Sequence, residues 1–326
     1  MYKAKELRHL LDIEINSLSN SIVSKPIELY EPIQYTLQLG GKRIRPVLVL
    51  LGCEMFGGNV KHAVPAALGI ELFHNFTLLH DDIMDNAPLR RGKETVHEKW
   101  NSNIAILSGD TMFVKACQQF LLANTTNTKQ VLDCFFQTAV EVCEGQQLDM
   151  NFETQSHVKI DDYIEMIRLK TAVLLGGALK IGAYIGNASE ENANWIYHFG
   201  MHIGIAFQLQ DDILDVFGDA EKVGKQVGGD IISNKKTFLL LKAIELCNAE
   251  QSKELNNWIN KKEFNAKEKV TSVTNIYNEL NVRELAEQEM NNHFEIALNY
   301  LKLVNVSTEN KYELDRLAHK LMEREY

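Results

Sequence analysis

LLHDDIMDNAP at residues 78–88 and LQDDILDVFGD at residues 209–219 share the pattern Asp-Asp-apolar-apolar-Asp. Each follows an apolar run, Ile70 to Leu79 and Ile203 to Leu209, so each is read as the end of a buried helix. Residues four apart on a helix differ by about 40° around its axis, so Asp81 points with Asp85, and Asp211 with Asp215. Carboxylates that close repel unless a cation sits between them. Hard oxygen donors with no histidine or thiolate in the set favour magnesium, which keeps waters and completes its octahedron with phosphate oxygens. Asp81, Asp82, Asp85, Asp211, Asp212 and Asp215 are therefore candidate ligands, able as two facing triads to hold several magnesium ions around a diphosphate. One such triad also reads as a solvated acidic helix end. Two, each closing an apolar helix, make chance a poor account.

Around these triads the sequence reads as all helix. Leu7, Leu11, Ile15, Leu18 and Ile22, then Leu29, Ile33 and Leu37, recur at three and four residues, while strand-like alternation is scarce. All five prolines lie within the first 88 residues, which leaves the remainder free for long helices. Segments near 101–124, 128–152, 159–186, 190–217 and 281–305 are long and separated by short polar breaks. No linker or low-complexity tract divides residues 1–326, so one domain is expected: an all-α helical bundle. A net charge of -10 is the wrong sign for a nucleic-acid partner that would cover the whole surface. No run of eighteen apolar residues and no signal-like N-terminus appears, so stable membrane insertion is not expected and a cytoplasmic protein is. Five scattered cysteines without a CxxC argue against disulfides or a thiolate zinc site.

Cationic residues that could meet phosphate fall in three places. Gly40-Gly41-Lys42-Arg43-Ile44-Arg45-Pro46 supplies a turn, and Pro46 suits the first position of the helix through Val47 to Leu51. Lys42 and Arg45 would then sit at a helix N-terminus, where free amides already favour an anion. Leu89-Arg90-Arg91-Gly92-Lys93 lies just beyond the first triad; alone it would be only an exposed basic turn. Gly224-Lys225, Gly228-Gly229-Asp230 and Lys235-Lys236-Thr237 form a glycine-bearing stretch after the second triad, suited to a mobile lid.

GGKRIRP, His74 seven residues before DDIMD, LRRG, FQLQDDILD, GKQVGGDI and NKKT, in that order, resemble the trans-isoprenyl diphosphate synthases of the polyprenyl synthetase family. No departure breaks a motif. The resemblance implies a single-domain isoprenoid-synthase-type bundle around a central cavity, working as a homodimer; the long apolar segment near 101–124 is a candidate for its interface, although the sequence does not show which face pairs. It implies an active prenyltransferase that condenses isopentenyl diphosphate with an allylic diphosphate (dimethylallyl, geranyl or farnesyl). Magnesium, three ions with substrate bound, would be ligated by Asp81, Asp85 and Asp211, with Asp82, Asp212 and Asp215 ligating or supporting through water. Arg90, Lys170, Lys225 and Lys235 would hold the allylic diphosphate; Lys42, Arg45, His74 and Arg91 would bind isopentenyl diphosphate without metal. Thr171 and Gln208 would place oxygen dipoles beside the developing cation. Gln146 and Asp149 also resemble a family motif, without a role that chemistry alone supplies.

Product length is a question of volume. Phe76 stands five residues, about 7.5 Å of helix rise, before Asp81, and Phe73 is a further floor, or both are plain core. This arrangement resembles geranylgeranyl diphosphate synthases, with farnesyl diphosphate the nearest rival product. Three readings of other classes compete. His80-Asp81 is a dyad of the HD-type metal phosphohydrolases, terpene cyclases share aspartate-rich ionisation chemistry, and a non-catalytic scaffold would bind cations for stability alone. The first leaves GGKRIRP and the second triad unused; the second needs no isopentenyl site. The third buries charges for no gain.

Overall fold

The computed structural model of the chain describes residues 2–22, 24–218 and 228–323. The long segments expected from the sequence are helices: Ser102–Leu121, Thr128–Thr154, Glu190–Phe217 and Val282–Leu303. The segment expected at 159–186 is a rod of two α-helices, Ile160–Ile167 and Val173–Ile185, joined by one π turn, Arg168–Ala172. Proline proved less disruptive than its reputation: Pro32 lies inside Ile27–Gln38 and Pro65 inside Val60–Met84. Among the described residues no helix is long and apolar enough to cross a membrane.

Contacts gather the chain into two compact units. The first comprises Met1–Gln137, Leu175–Tyr197 and Leu303–Asp315. Its centre is Val60–Met84, which packs along Ser102–Leu121 and Ile44–Met55. That helix starts on Asn59, whose side chain accepts the Lys61 N–H at 3.0 Å, and buries Ile70, Leu72, Phe73 and Leu79. Leu7, Leu11 and Ile15 of Ala4–Ser21 and Ile33 and Leu37 of Ile27–Gln38 are buried, as their spacing requires.

The second unit comprises Thr138–Leu174, His198–Lys302 and Arg316–Tyr326. Ile160–Ile167 packs on Phe238–Leu246, and the short helix Gly229–Ile232 packs on Ala266–Glu279. Tyr163, Phe199, Ile203, Leu209 and Tyr277 are buried within it. On Glu190–Phe217, His202 stacks on His293, with Nδ1 to Nδ1 at 2.9 Å, and on Tyr300.

Candidate active site

The first aspartate triad ends Val60–Met84, with Asp81 and Asp82 in the last turn and Asp85 as the C-cap. A helix C-terminus carries partial negative charge, so three carboxylates there are electrostatically unfavourable without a cation. Arg90 answers part of that charge. Asp82 is buried, and Arg90 donates to its Oδ1 from Nε at 2.7 Å, while Arg90 Nη2 reaches Asp81 Oδ2 at 3.5 Å. Burial pushes the Asp82 carboxyl up, and the Arg90 guanidinium opposes that rise. Asp85 remains exposed.

Arg90 is placed by a feature the sequence reading missed. LRRGKE forms a two-stranded hairpin, Leu89–Arg90 against Lys93–Glu94, the one sheet among the described residues. Its two central residues, Arg91 at φ 55° and Gly92 at φ 74°, both lie in the left-handed region that a tight two-residue hairpin turn requires. The hairpin directs Arg90 onto Asp82, while Arg91 donates from Nη1 to the Gly40 carbonyl.

The diglycine turn forms as expected, with Gly40 at φ 76° and Gly41 at φ 146°. The helix after it starts earlier than the sequence suggested. Ile44–Met55 is capped by Arg43, so Pro46 is the third helical residue rather than the first, a place where its missing N–H still leaves no bond unmade. Arg45, in that first turn, has Nη1 at 3.4 Å from His74 Nε2. Burial first, then the charges of Arg45, Arg91, Arg90 and Arg43, hold His74 well below the usual histidine range, so it is neutral. Lys42 is exposed. Arg43, given no role of its own in the sequence reading, and Glu71, absent from it, are 6% and 3% exposed and form an ion pair.

The second triad lies in the last two turns of Glu190–Phe217. Here the middle carboxylate meets neutral partners. Tyr163 Oη donates to Asp212 Oδ2, and Gln208 Nε2 donates to Oδ1 at 3.0 Å. Burial, and then Asp230, push the Asp212 carboxyl up to about 7. Asp215 accepts the Asp230 N–H on Oδ2 at 2.9 Å. Thr171 Oγ1 donates to Gln208 Oε1 at 3.2 Å, so Thr171, Gln208, Asp212 and Tyr163 form one hydrogen-bonded chain. Thr171 and Lys170 both lie on the π turn, and Lys170 Nζ contacts Asp149 Oδ2 at 2.5 Å, giving Asp149 the partner the sequence reading could not supply. Gly145 makes this turn fit: a Cβ there would lie 2.2 Å from the Lys170 backbone nitrogen. Lys235 is exposed, and its charge opposes the rise of Asp212. Lys236 turns elsewhere, donating to the carbonyls of Phe152 and Gln155. Gly224 and Lys225, at the start of the stretch read as a lid, lie outside the described residues.

Phe76 is half-buried, and Phe73 is fully buried behind it with ring centroids 5.6 Å apart. The sequence reading named these two and missed Phe113, which lies 5.5 Å from Phe76 and 6.1 Å from Phe73, and Phe135, 5.3 Å from Phe73. Phe113 and Phe135 sit on other helices, and no local pattern ties them to the first triad. His80 turns from Asp81 towards Ser102–Leu121, with Nε2 3.2 Å from the Ile106 carbonyl.

Among the described residues no group of three or more histidine, cysteine or acidic side chains stands close enough to hold a metal ion unaided. The donors present, carboxylate oxygens at helical spacing of four near helix C-termini, still fit magnesium. That ion takes one or two protein carboxylates and completes its shell with water and phosphate.

A profile of the polyprenyl synthetase family matches residues 26–278. The chain belongs to the polyprenyl synthetase family. It is 44% identical over 227 residues to the geranylgeranyl diphosphate synthase of Methanosarcina mazei, covering 68% of this chain and 69% of that one. It is 39% identical over 239 residues to the geranylfarnesyl diphosphate synthase of Natronomonas pharaonis, covering 68% and 70%. A crystal structure of a geranylgeranyl pyrophosphate synthase superposes with a TM-score of 0.93 at 43% identity, covering 100% of both chains. This polyprenyl synthetase is thus an all-α trans-isoprenyl diphosphate synthase of the short-chain class, a prenyltransferase of a family that acts on isopentenyl and allylic diphosphates and generally uses magnesium. Membership sets aside the phosphohydrolase, cyclase and scaffold readings.

Proposed function

We propose that the enzyme makes geranylgeranyl diphosphate by adding isopentenyl diphosphate to an allylic diphosphate, as one domain in a cytoplasmic homodimer. The observation that carries the product assignment is the aromatic floor. Phe76 stands one and a half turns before Asp81, and Phe73, Phe113 and Phe135 back it with rings on three helices. A floor braced by that many rings resists displacement by a growing chain. The names of similar proteins support a product of this size, and geranylfarnesyl diphosphate is the rival they also raise. Farnesyl diphosphate, the rival from sequence, would require a shallower floor.

Asp81, Asp85 and Asp211 would hold magnesium, which supplies the positive charge that draws off the allylic diphosphate. Asp82 and Asp212 act from behind: their hydrogen bonds to Arg90 and to Tyr163 and Gln208 fix the helix ends that present the outer carboxylates. Asp215 is steadied by the Asp230 N–H. Arg90, Lys170, Lys225 and Lys235 bind the allylic diphosphate; Lys42, Arg45, His74 and Arg91 bind isopentenyl diphosphate. Neutral His74 accepts from Arg45 at Nε2 and so keeps a proton on Nδ1 to donate to phosphate. Thr171 has its hydroxyl proton committed to Gln208, which turns its oxygen lone pairs outward, the orientation that stabilises an allylic cation.

The homodimer is supported by Ser102–Leu121, where Leu107, Val114 and Leu121 are exposed at seven-residue spacing beside exposed Ile106. The test of the whole reading is incubation with radiolabelled isopentenyl diphosphate, magnesium and each allylic primer in turn, with sizing of the dephosphorylated products. A twenty-carbon alcohol supports the assignment; a twenty-five- or fifteen-carbon alcohol as the main product replaces it with a rival. No carbon-carbon coupling with any primer defeats it.

A further inference from the structure

Two segments that bear the proposed isopentenyl diphosphate ligands are tied together by a buried charge pair that touches neither substrate in the reading above. Arg43 lies between Lys42 and Arg45, and Glu71 lies one helical turn before His74. Arg43 Nη1 donates to Glu71 Oε1, and Arg43 Nη2 donates to the Leu37 carbonyl at 2.9 Å. Glu71 is held in turn by Asn75, whose Nδ2 donates to its Oε1 at 3.0 Å and to its backbone carbonyl at 2.7 Å. Arg43 Nε also lies 3.6 Å from Asp12 Oδ1. The three side chains at the centre, Arg43, Glu71 and Asn75, are buried.

The backbone adds a second observation. Arg43 caps Ile44–Met55 at φ 54° and ψ 32°, a left-handed conformation uncommon for a side chain with a Cβ and maintained only where surroundings enforce it. That conformation sets the direction in which the next turn, and with it Arg45, leaves the diglycine loop. A buried ion pair is weak evidence for stability, since apolar residues of equal volume do as well; its attested use is to specify one arrangement among several. Here it fixes the N-terminal turn of one helix against the side of another, with Arg45 Nη1 and His74 Nε2 brought to 3.4 Å.

We propose that Arg43, Glu71 and Asn75 are positioning residues for isopentenyl diphosphate: they hold Arg45 and His74 at the separation that one diphosphate spans, and leave the allylic side alone. The proposal rests on the assignment of Arg45 and His74 to isopentenyl diphosphate. A frame of this kind acts on one substrate's binding, and a merely structural pair would not discriminate between the two.

The test is steady-state kinetics of the purified full-length enzyme with magnesium, varying isopentenyl diphosphate and geranyl diphosphate separately, on E71Q, the double variant R43M/E71M, R43K and H74A. The double variant removes both charges without stranding either, so it separates loss of the frame from loss of the fold, which circular dichroism and melting check. In E71Q and the double variant, KM for isopentenyl diphosphate should rise about tenfold while KM for geranyl diphosphate and kcat stay within about twofold; R43K, which keeps the positive charge, should show a smaller rise. An unchanged KM for isopentenyl diphosphate in either folded variant overturns the proposal, as does a parallel rise in both KM values. H74A distinguishes the two levels of inference. If it leaves KM for isopentenyl diphosphate unchanged, the site assignment falls and the frame with it. If it raises that KM and the pair variants do not, the frame alone falls.

Discussion

The two aspartate triads have one local pattern and two electrostatic solutions. In the first, the inward carboxylate of Asp82 meets a guanidinium, Arg90, delivered by a hairpin. In the second, Asp212 meets a phenol and an amide, with Asp230 adding negative charge, and its carboxyl rises to about 7. The middle carboxylate of the first triad is therefore met by a full positive charge at hydrogen-bond distance, while that of the second is met there by neutral donors, with the charge of Lys235 opposing its rise. Identical motifs do not imply identical sites, because what surrounds a carboxylate decides how much of its charge remains to be neutralised.

The strongest test of this contrast is catalytic. Asp81→Ala and Asp211→Ala should each lower kcat at least about a hundredfold with the fold intact, by analogy with removing one transition-state stabiliser. The two variants should part company in their magnesium requirement, because the middle carboxylate of the first triad is hydrogen-bonded to a guanidinium and that of the second to a phenol and an amide; superimposable magnesium titrations would erase the contrast. Next comes stability. Arg90→Met strands a buried carboxylate and should cost about 3 kcal/mol in denaturant unfolding, whereas Tyr163→Phe removes one hydrogen bond and should cost about 1 kcal/mol. Equal losses would mean that charge on the partner is irrelevant.

A third test probes the aromatic floor beside the first triad. Phe76→Ala should shift the main product by about one five-carbon unit, since a ring occupies roughly the length of one isoprene; an unaltered product distribution by chromatography would leave Phe76 as plain core. The smallest effect belongs to the helix of the second triad. Burial, His293 and His198 push His202 down to about 4. Its folded form resists a proton that the unfolded chain accepts near pH 6.5, so stability is complete above about pH 6.5 and falls as the pH drops from there towards about 4. Between pH 7 and pH 5 the melting temperature should fall, and His202→Gln should remove about 2–4 °C of that fall. A wild-type slope retained in the variant would assign the proton uptake to other groups.

The helices and both triads were legible because their signals are local: apolar residues at three and four, carboxylates at four, prolines confined to one end. The partners were not. Asp212 and Tyr163 are 49 residues apart, and Arg43 and Glu71 are 28 apart, so nothing in either neighbourhood announces the pairing. Arg43 sits in a basic run whose other members look equally suited to phosphate, and only burial separates it from them. Glu71 is hidden in an apolar stretch, and the LRRGKE hairpin has strands of two residues, too short to show alternation. The shift in helix start at Ile44 has the same origin, since a left-handed Arg43 is a tertiary outcome rather than a propensity.

The π turn at Arg168–Ala172 fixes the permitted length of its rod. Val173 closes a bond to Arg168, five residues back, so one residue more than α-geometry needs is stored in that turn. Deleting any single residue there would let the backbone revert to ordinary winding and would swing Lys170 or its neighbours by about 100° around the axis. Insertions and deletions in descendants of this gene should therefore avoid this stretch, so that chain length is guarded there alongside the identities of Lys170 and Thr171.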